Sequence, residues 1–525
     1  MALSTGSTFL CMNRPSFFLP VFHPSAKTFL SATKVVRPLN CIPSSVIYEP
    51  EVSRRRANYK PNIWDHDLLQ SLRSDYQVSH SSIKTSLSLP KINRPLNCLP
   101  SSVIYEPEVS RRRANYKPNI WDHDLIQSLR SDYQDEAYAK RAEKLKEDVK
   151  HCMLQEAANP LAQLELIDPI QRLGMGHIFD KEIKGALNII WEGHNKNDNK
   201  GGLGIIMISM LLLSSLGSSE NMGIITFTCT YLKAIKESVD IMLANKLGHA
   251  LELPLHWRTQ RLEALWYLNI YENEENMNPT LLELAKLDFN MVQATHQRDL
   301  RKASSWWSSL GLGGKLSFSR DRITECFFLA LGVMFEPQFG YPRVELAKVC
   351  QLITTIDDIY DVFGSLDELE CFTDAVDRWD IKSIDRLPEY MKICFLAIYN
   401  TTNQMGYEIL KDQGINIIPY LQKAVEKVRG DAPSSIDCYM KEANFVSEMD
   451  ARNHIKDLIF DSWKKLNEEA RTASPYPPHF INCALNLARV VHCIYQHGDG
   501  HTVQDRSTKD RLTSLLAQPI PLVVE

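Results

Sequence analysis

From Asp135 almost to its end the chain repeats apolar residues at intervals of three and four. Stretches such as KRAEKLKEDVKHCMLQ, NPLAQLELIDPIQRL and TLLELAKLDFNMVQATHQRDL hold this spacing over several turns, while the alternation of a half-buried strand is rare. Such spacing lays an apolar stripe along one side of an α-helix, and the stripe has to be buried against other helices. An all-α fold is therefore expected. With 525 residues, 44% of them hydrophobic, the chain has material for two or three cores. One segment, GGLGIIMISMLLLSSLGSSENMGIITF at 201–227, breaks the pattern. Its apolar residues form no helical stripe, and it is too short and too rich in Gly and Ser for a membrane span.

A net charge of −5 carries no basic footprint, which excludes the usual nucleic-acid binder. Twelve cysteines occur without a CxxC pair, several on apolar helix faces, and read as reduced core residues. Residues 1–48 contain no Asp or Glu and are rich in Ser and Thr with a few basic residues, the composition of a plastid transit peptide or of a disordered tail. The apolar run from Phe9 to Phe22 is interrupted by Arg14, Pro15 and Pro20, so it suits neither a secretory signal nor a membrane span. Behind it the text of 37–77 recurs at 94–134 with two changes, Ile42 to Leu99 and Leu69 to Ile126. A single duplication is not a solenoid, which needs at least three stacked units.

The stretch VELAKVCQLITTIDDIYDVFG is an apolar helix that ends in three carboxylates, Asp357, Asp358 and Asp361. Residues four apart share a helix side, so Asp357 and Asp361 point the same way with Asp358 beside them. Carboxylates that crowd together suit a hard cation, and Mg²⁺ takes one or two of them together with substrate phosphates, so a diphosphate is the implied partner. A solvated acidic helix end is the other reading, which the apolar ITTI before the motif disfavours. Upstream, SFSRDRITECFF holds Arg320 and Arg322, two guanidiniums able to pair with phosphate oxygens, or two surface arginines if taken alone. After the acidic turn, Ser365 and Glu368 are spaced as a capping box for the next helix.

RRx8W (Arg111, Arg112, Trp121), RDR and DDIYD stand in the order seen in plant monoterpene synthases of the angiosperm type. The chain resembles that family from about residue 100 to its end, through HALELPLHWRTQRLEALWYLNIYE, FTDAVDRWDI, LPEYMKICFLAIYNTTNQMGYE and CIYQHGDGHTVQDR. The resemblance implies an N-terminal helical domain over 135–275 and, over 276–525, a C-terminal class I bundle around an apolar pocket. It implies a monomer that acts on geranyl diphosphate with Mg²⁺ or Mn²⁺ held partly by Asp357, Asp358 and Asp361. Arg320 and Arg322 would hold the departing diphosphate, and Arg111 and Arg112 would assist its isomerisation. Tyr495 and Asp499 match the pocket-closing region, and Trp306 and Trp307 are candidates for aromatic faces toward the cation.

The family's second metal motif survives only in part. AVEKVRGDAPSS keeps Glu426 as a metal ligand and Arg429 for the diphosphate, but Ile418 and Gln422 occupy the places of two other ligands. The distance from Asp361 to Glu426 is less than half of what the family usually has, which points to a deletion near 424–426. Leu329 replaces a common Trp, and Cys350 is smaller than the Phe that narrows isoprene synthase pockets. Three readings follow: an active monoterpene synthase, a catalytically inactive relative that at most binds prenyl diphosphate, or a helical interaction protein, which would leave the coincidence of RRx8W, RDR and DDIYD unexplained.

Overall fold

The computed structural model describes residues 111–156, 159–196, 230, 232–421, 435–442, 447–471, 476–503 and 506–522. The acid-free leader, the first copy of the duplication, the anomalous 201–227 segment, Gln422, Glu426, Arg429 and the 424–426 junction lie outside them.

Among the described residues there is no strand, and the all-α expectation is met. The helices are α1 His123–Ser128, α2 Glu136–Gln155, α3 Pro160–Arg172, α4 Asp180–Lys196, α5 Ile241–Glu252, α6 Gln260–Tyr271 and α7 Pro279–Leu310. They continue with α8 Ile323–Val333, α9 Gly340–Asp358, α10 Leu366–Arg378, α11 Glu389–Gln413, α12 Ser435–Glu442, α13 Glu448–Arg471, α14 Pro478–Tyr495 and α15 Arg506–Leu516. None of them is long and apolar enough to cross a membrane. The boundary expected at 275/276 falls in the turn between α6 and α7.

Helix α7 is the spine. Its 32 residues start at Pro279 behind an Asn278 cap and end at Gly311 in the left-handed conformation, so proline and glycine fix both ends. It is buried on most sides, and its buried amides each donate to a backbone carbonyl, although Gln297 Oε1 has no partner among the described residues. Asn290 donates to Ile520 O at 2.8 Å, Gln293 to Ser514 O and Gln518 O, and Gln297 to Leu516 O, which pins the C-terminal segment to the spine. Near its other end the fully buried Asp299 accepts from Arg343 of α9 at 2.8 Å.

Helices α8 and α9 pack beside the spine, and α14 packs on α8. Gly332 allows α8 to approach α14, because a Cβ there would collide with the Val490 side chain. One apolar cluster joins Trp121, α2, α6, α7, α8, α9 and α15. Of the cysteines, Cys326, Cys350 and Cys394 are buried and unpaired, as core residues should be.

Candidate active site

Helix α9 begins two residues before Pro342 and runs to Asp358. The chain then widens into a π-turn, Ile359–Phe363, which ends at the extended Gly364. The acidic motif therefore straddles a change of helix type, a feature frequent at functional positions. Tyr360 locks the wide turn through a 2.7 Å hydrogen bond with Thr373 of α10. The capping box is present: Glu368 accepts from the Ser365 N–H at 3.1 Å.

Asp357 and Asp361 are half-buried, whereas Asp358 is fully enclosed. Asp358, expected as a metal ligand beside the other two, instead uses both oxygens on the RDR segment. It accepts from Arg320 N at 2.7 Å, from Arg320 Nε at 3.0 and 3.2 Å, and from Ser319 Oγ at 3.3 Å. Burial works against the Arg320 charge, but Asp358, Tyr116 and Asp357 together outweigh it and raise its pKa. Arg322 differs from its neighbour. Its side chain is buried and donates to the carbonyls of Asp321, Lys117 and Thr502 at 2.7, 3.1 and 3.2 Å. Gln351 fixes the backbone of both arginines, accepting from Arg322 N and donating to Arg320 O.

The RRx8W segment lies along this site. Tyr116 stacks on the Arg320 guanidinium at 5.1 Å, Lys117 offers its carbonyl to Arg322, and Asn119 donates to Asp321 at 3.3 Å. Trp121 anchors the segment in the core. Arg111 grips the far end of the π-turn, donating to Phe363 O and to both oxygens of Glu368 at 2.7 and 2.9 Å. That pairing holds the Glu368 carboxyl down to about 2. Arg112 is exposed. Trp306 faces Lys348 at 5.6 Å and Trp307 is buried in the core. Ile418 packs against Gly406 of α11, where an added Cβ would press on it.

Tyr495 ends α14, and burial, Asp499 and Asp357 push its phenol pKa up. Asp499 accepts from the N–H groups of His501 and Thr502 at 3.1 and 2.9 Å, which shapes the loop after α14. Gly498 takes φ +135°, a conformation that side chains disfavour. Three residues of this neighbourhood were not singled out by sequence: His501, Thr502 and Thr354. His501 is buried, and its Nε2 lies 3.1 Å from Thr354 Oγ1 on α9. Burial and the nearby Arg320 hold its pKa at about 4, so it is neutral at physiological pH.

That depressed value has a stability consequence. The unfolded imidazole binds a proton near pH 6.5 and the folded one only near 4, so its contribution is present above 6.5 and lost as pH falls toward 4. Urea unfolding should show about 2 kcal/mol less stability at pH 5 than at pH 8, and His501→Gln should flatten that dependence. An unchanged slope in the variant would assign the acid sensitivity to other groups.

Among the described residues no three His, Cys, Asp or Glu side chains converge as a complete metal site. The donor set is carboxylate only, at the end of a buried helix beside a fixed guanidinium. That fits a magnesium-type ion which takes one or two carboxylates and completes its shell with water and phosphate, and it does not fit metals that need nitrogen or sulfur.

Two family models match the chain. The terpene synthase N-terminal domain matches residues 120–213, and the terpene synthase metal binding domain matches 308–428 and 424–465. The chain is 42% identical to (−)-alpha-terpineol synthase of Vitis vinifera over 544 residues, covering 79% of this chain and 92% of that one. It is 40% identical to the chloroplastic alpha-thujene synthase TPS3 of Litsea cubeba, over 86% of this chain and 99% of that one. It is similar to the structure of isoprene synthase from grey poplar (Populus x canescens) in complex with three Mg²⁺ ions and dimethylallyl-S-thiolodiphosphate. That similarity has a TM-score of 0.66 at 34% identity, over 77% of this chain and 99% of that one. The chain belongs to the terpene synthase family.

Proposed function

We propose that the chain is built to convert geranyl diphosphate to a monoterpene, acting as a monomer in the plastid with Mg²⁺ or Mn²⁺ as cofactor. The observation that carries this reading is the acidic π-turn at the end of α9, with Asp358 spent on Arg320 and Asp357 and Asp361 half-buried beside it. Asp357 and Asp361 would hold the ion, which when bound supplies Lewis acidity toward the diphosphate oxygens. Arg320 holds charge opposite the departing anion. Tyr495 and the buried neutral His501 close the site next to them, and Arg111 keeps the π-turn in place. Two similar proteins are named for monoterpene products, which supports the ten-carbon substrate, and the chloroplastic label of the Litsea protein supports the acid-free leader as a plastid address.

A second reading rests on its own observations: this chain is a disabled member. The metal binding model matches in two pieces that meet at 424–428. The alignment with the Vitis protein runs to 544 residues while using 79% of this 525-residue chain, so the relative carries a long stretch with no counterpart here. Ile418 offers no oxygen to a ligand. The test of function is incubation with geranyl diphosphate and Mg²⁺ after the relatives' stretch is inserted at 424–426, with product identification by mass spectrometry. A ten-carbon hydrocarbon or alcohol is expected; product only from a five- or fifteen-carbon diphosphate would overturn the assignment.

A further inference from the structure

The two arginines of the RDR motif are held in different ways, and one residue outside the motif holds both. Thr502 Oγ1 accepts from Arg320 Nη1 at 2.7 Å, and the Thr502 carbonyl accepts from Arg322 Nη2 at 3.2 Å. We propose that Thr502 is a positioning residue that sets the Arg320 guanidinium for the diphosphate, while Arg322 is a staple and not a second diphosphate ligand. This rests on the reading of the site as a diphosphate site.

The assignment follows from counting donors. Arg322 gives Nη1 to Asp321 O and Nη2 to Lys117 O and Thr502 O, while its Nε has no partner among the described residues. Because the whole side chain is sealed from solvent, that Nε faces protein and not a ligand, and the residue ties the N-terminal segment to the loop after α14. Arg320 gives Nε to Asp358 and Nη1 to Thr502, and its Nη2 has no hydrogen-bond partner among the described residues. A planar group fixed at two of its three nitrogens can neither swing nor rotate, so it presents the third in one direction.

Thr502 is itself fixed. Asp499 accepts its N–H, and the adjacent His501 reaches Thr354, one turn before Asp358 on α9. Asp358, Arg320, Thr502, His501 and Thr354 thus close a ring back onto the helix that carries the acidic motif. Preorganisation of this kind lowers the ordering cost of binding.

The test is calorimetric titration of the full chain with inorganic diphosphate in Mg²⁺ buffer, comparing wild type, Thr502→Val, Thr502→Ser and Asp357→Asn. Loss of the hydroxyl should weaken diphosphate binding about tenfold, and the serine variant, which keeps the hydroxyl, should stay within about twofold of wild type. A purely structural role would lower the melting temperature without this split between serine and valine. If Thr502→Val melts too early to titrate, Thr502→Ala takes its place. Wild-type affinity in Thr502→Val, with binding still lost in Asp357→Asn, would overturn the role of Thr502 and leave the site reading standing. Absence of Mg²⁺-dependent diphosphate binding in wild type would overturn both.

Discussion

Trimmed to residue 94 onward and given Mg²⁺ and geranyl diphosphate, the chain as it stands should turn over at least about 1000-fold more slowly than the same chain with its relatives' missing stretch restored. Ionisation of a diphosphate needs its charge met from both sides of the pocket. One side here keeps Asp357, Asp361 and Arg320, while on the other Ile418 packs into the groove over Gly406. Loss of a single well-placed electrostatic partner costs roughly 100- to 1000-fold in rate, and on the proposed reading Ile418 and Gln422 stand where two such partners belong. The helices that remain also show uncovered apolar faces: Tyr407 is 64% exposed on α11, Met449 67% on α13 and Phe480 54% on α14. In a helical bundle such faces lie against neighbours. Without a wall there, water would reach the reacting carbon, which is why the restored chain is expected to be the faster one. Gas chromatography of both chains checks this, and comparable turnover would show that the missing stretch is dispensable.

Replacing Arg320 by alanine should cost about 3–5 kcal/mol of stability, far more than replacement of the exposed Arg112. Asp358 is wholly enclosed, and Arg320 supplies both its charge partner and a backbone N–H donor. Removal of one member of a buried pair strands the other charge without solvent, which is the costly case. The double variant Arg320→Ala, Asp358→Ala should recover part of the loss, since no buried charge is then left alone. Urea unfolding of the four chains measures the coupling. A cost below about 1 kcal/mol for Arg320→Ala would mean that Asp358 is screened by water and not by the pair.

The helices, the acidic helix end and the capping box at Ser365 were legible because each depends on neighbours in sequence: apolar spacing, a carboxylate run, a serine three residues before a glutamate. The division of roles inside DDIYD was not. Asp357 and Asp358 are adjacent and chemically identical, and only the fold brings Arg320 onto one of them. The π-turn carries no compositional mark, since widening a helix by one residue changes which side chains meet but not which residues are used. Arg111 read as an aid to isomerisation because of the resemblance, and Arg322 as a diphosphate ligand because guanidiniums suit phosphates. The structure gives them carboxylate and carbonyl partners from segments far away in sequence, Glu368 for one and Lys117 and Thr502 for the other. Thr502 and Thr354 had no signal at all, being ordinary threonines until the loop after α14 meets α9.

The central claim is that Asp357 and Asp361, and not Asp358, offer the metal and diphosphate side of the site. The most direct measurement is the melting temperature of the full chain with Mg²⁺ and a non-hydrolysable geranyl diphosphate analogue, compared with Mg²⁺ alone. A ligand that binds only the folded chain raises its stability by about 2.7 kcal/mol at 100 times its dissociation constant. Wild type should therefore melt several degrees higher with the analogue, and Asp357→Ala should lose most of that rise while its ligand-free melt stays close to wild type. An equal rise in wild type and Asp357→Ala would return the acidic turn to a solvated helix end and contradict the account.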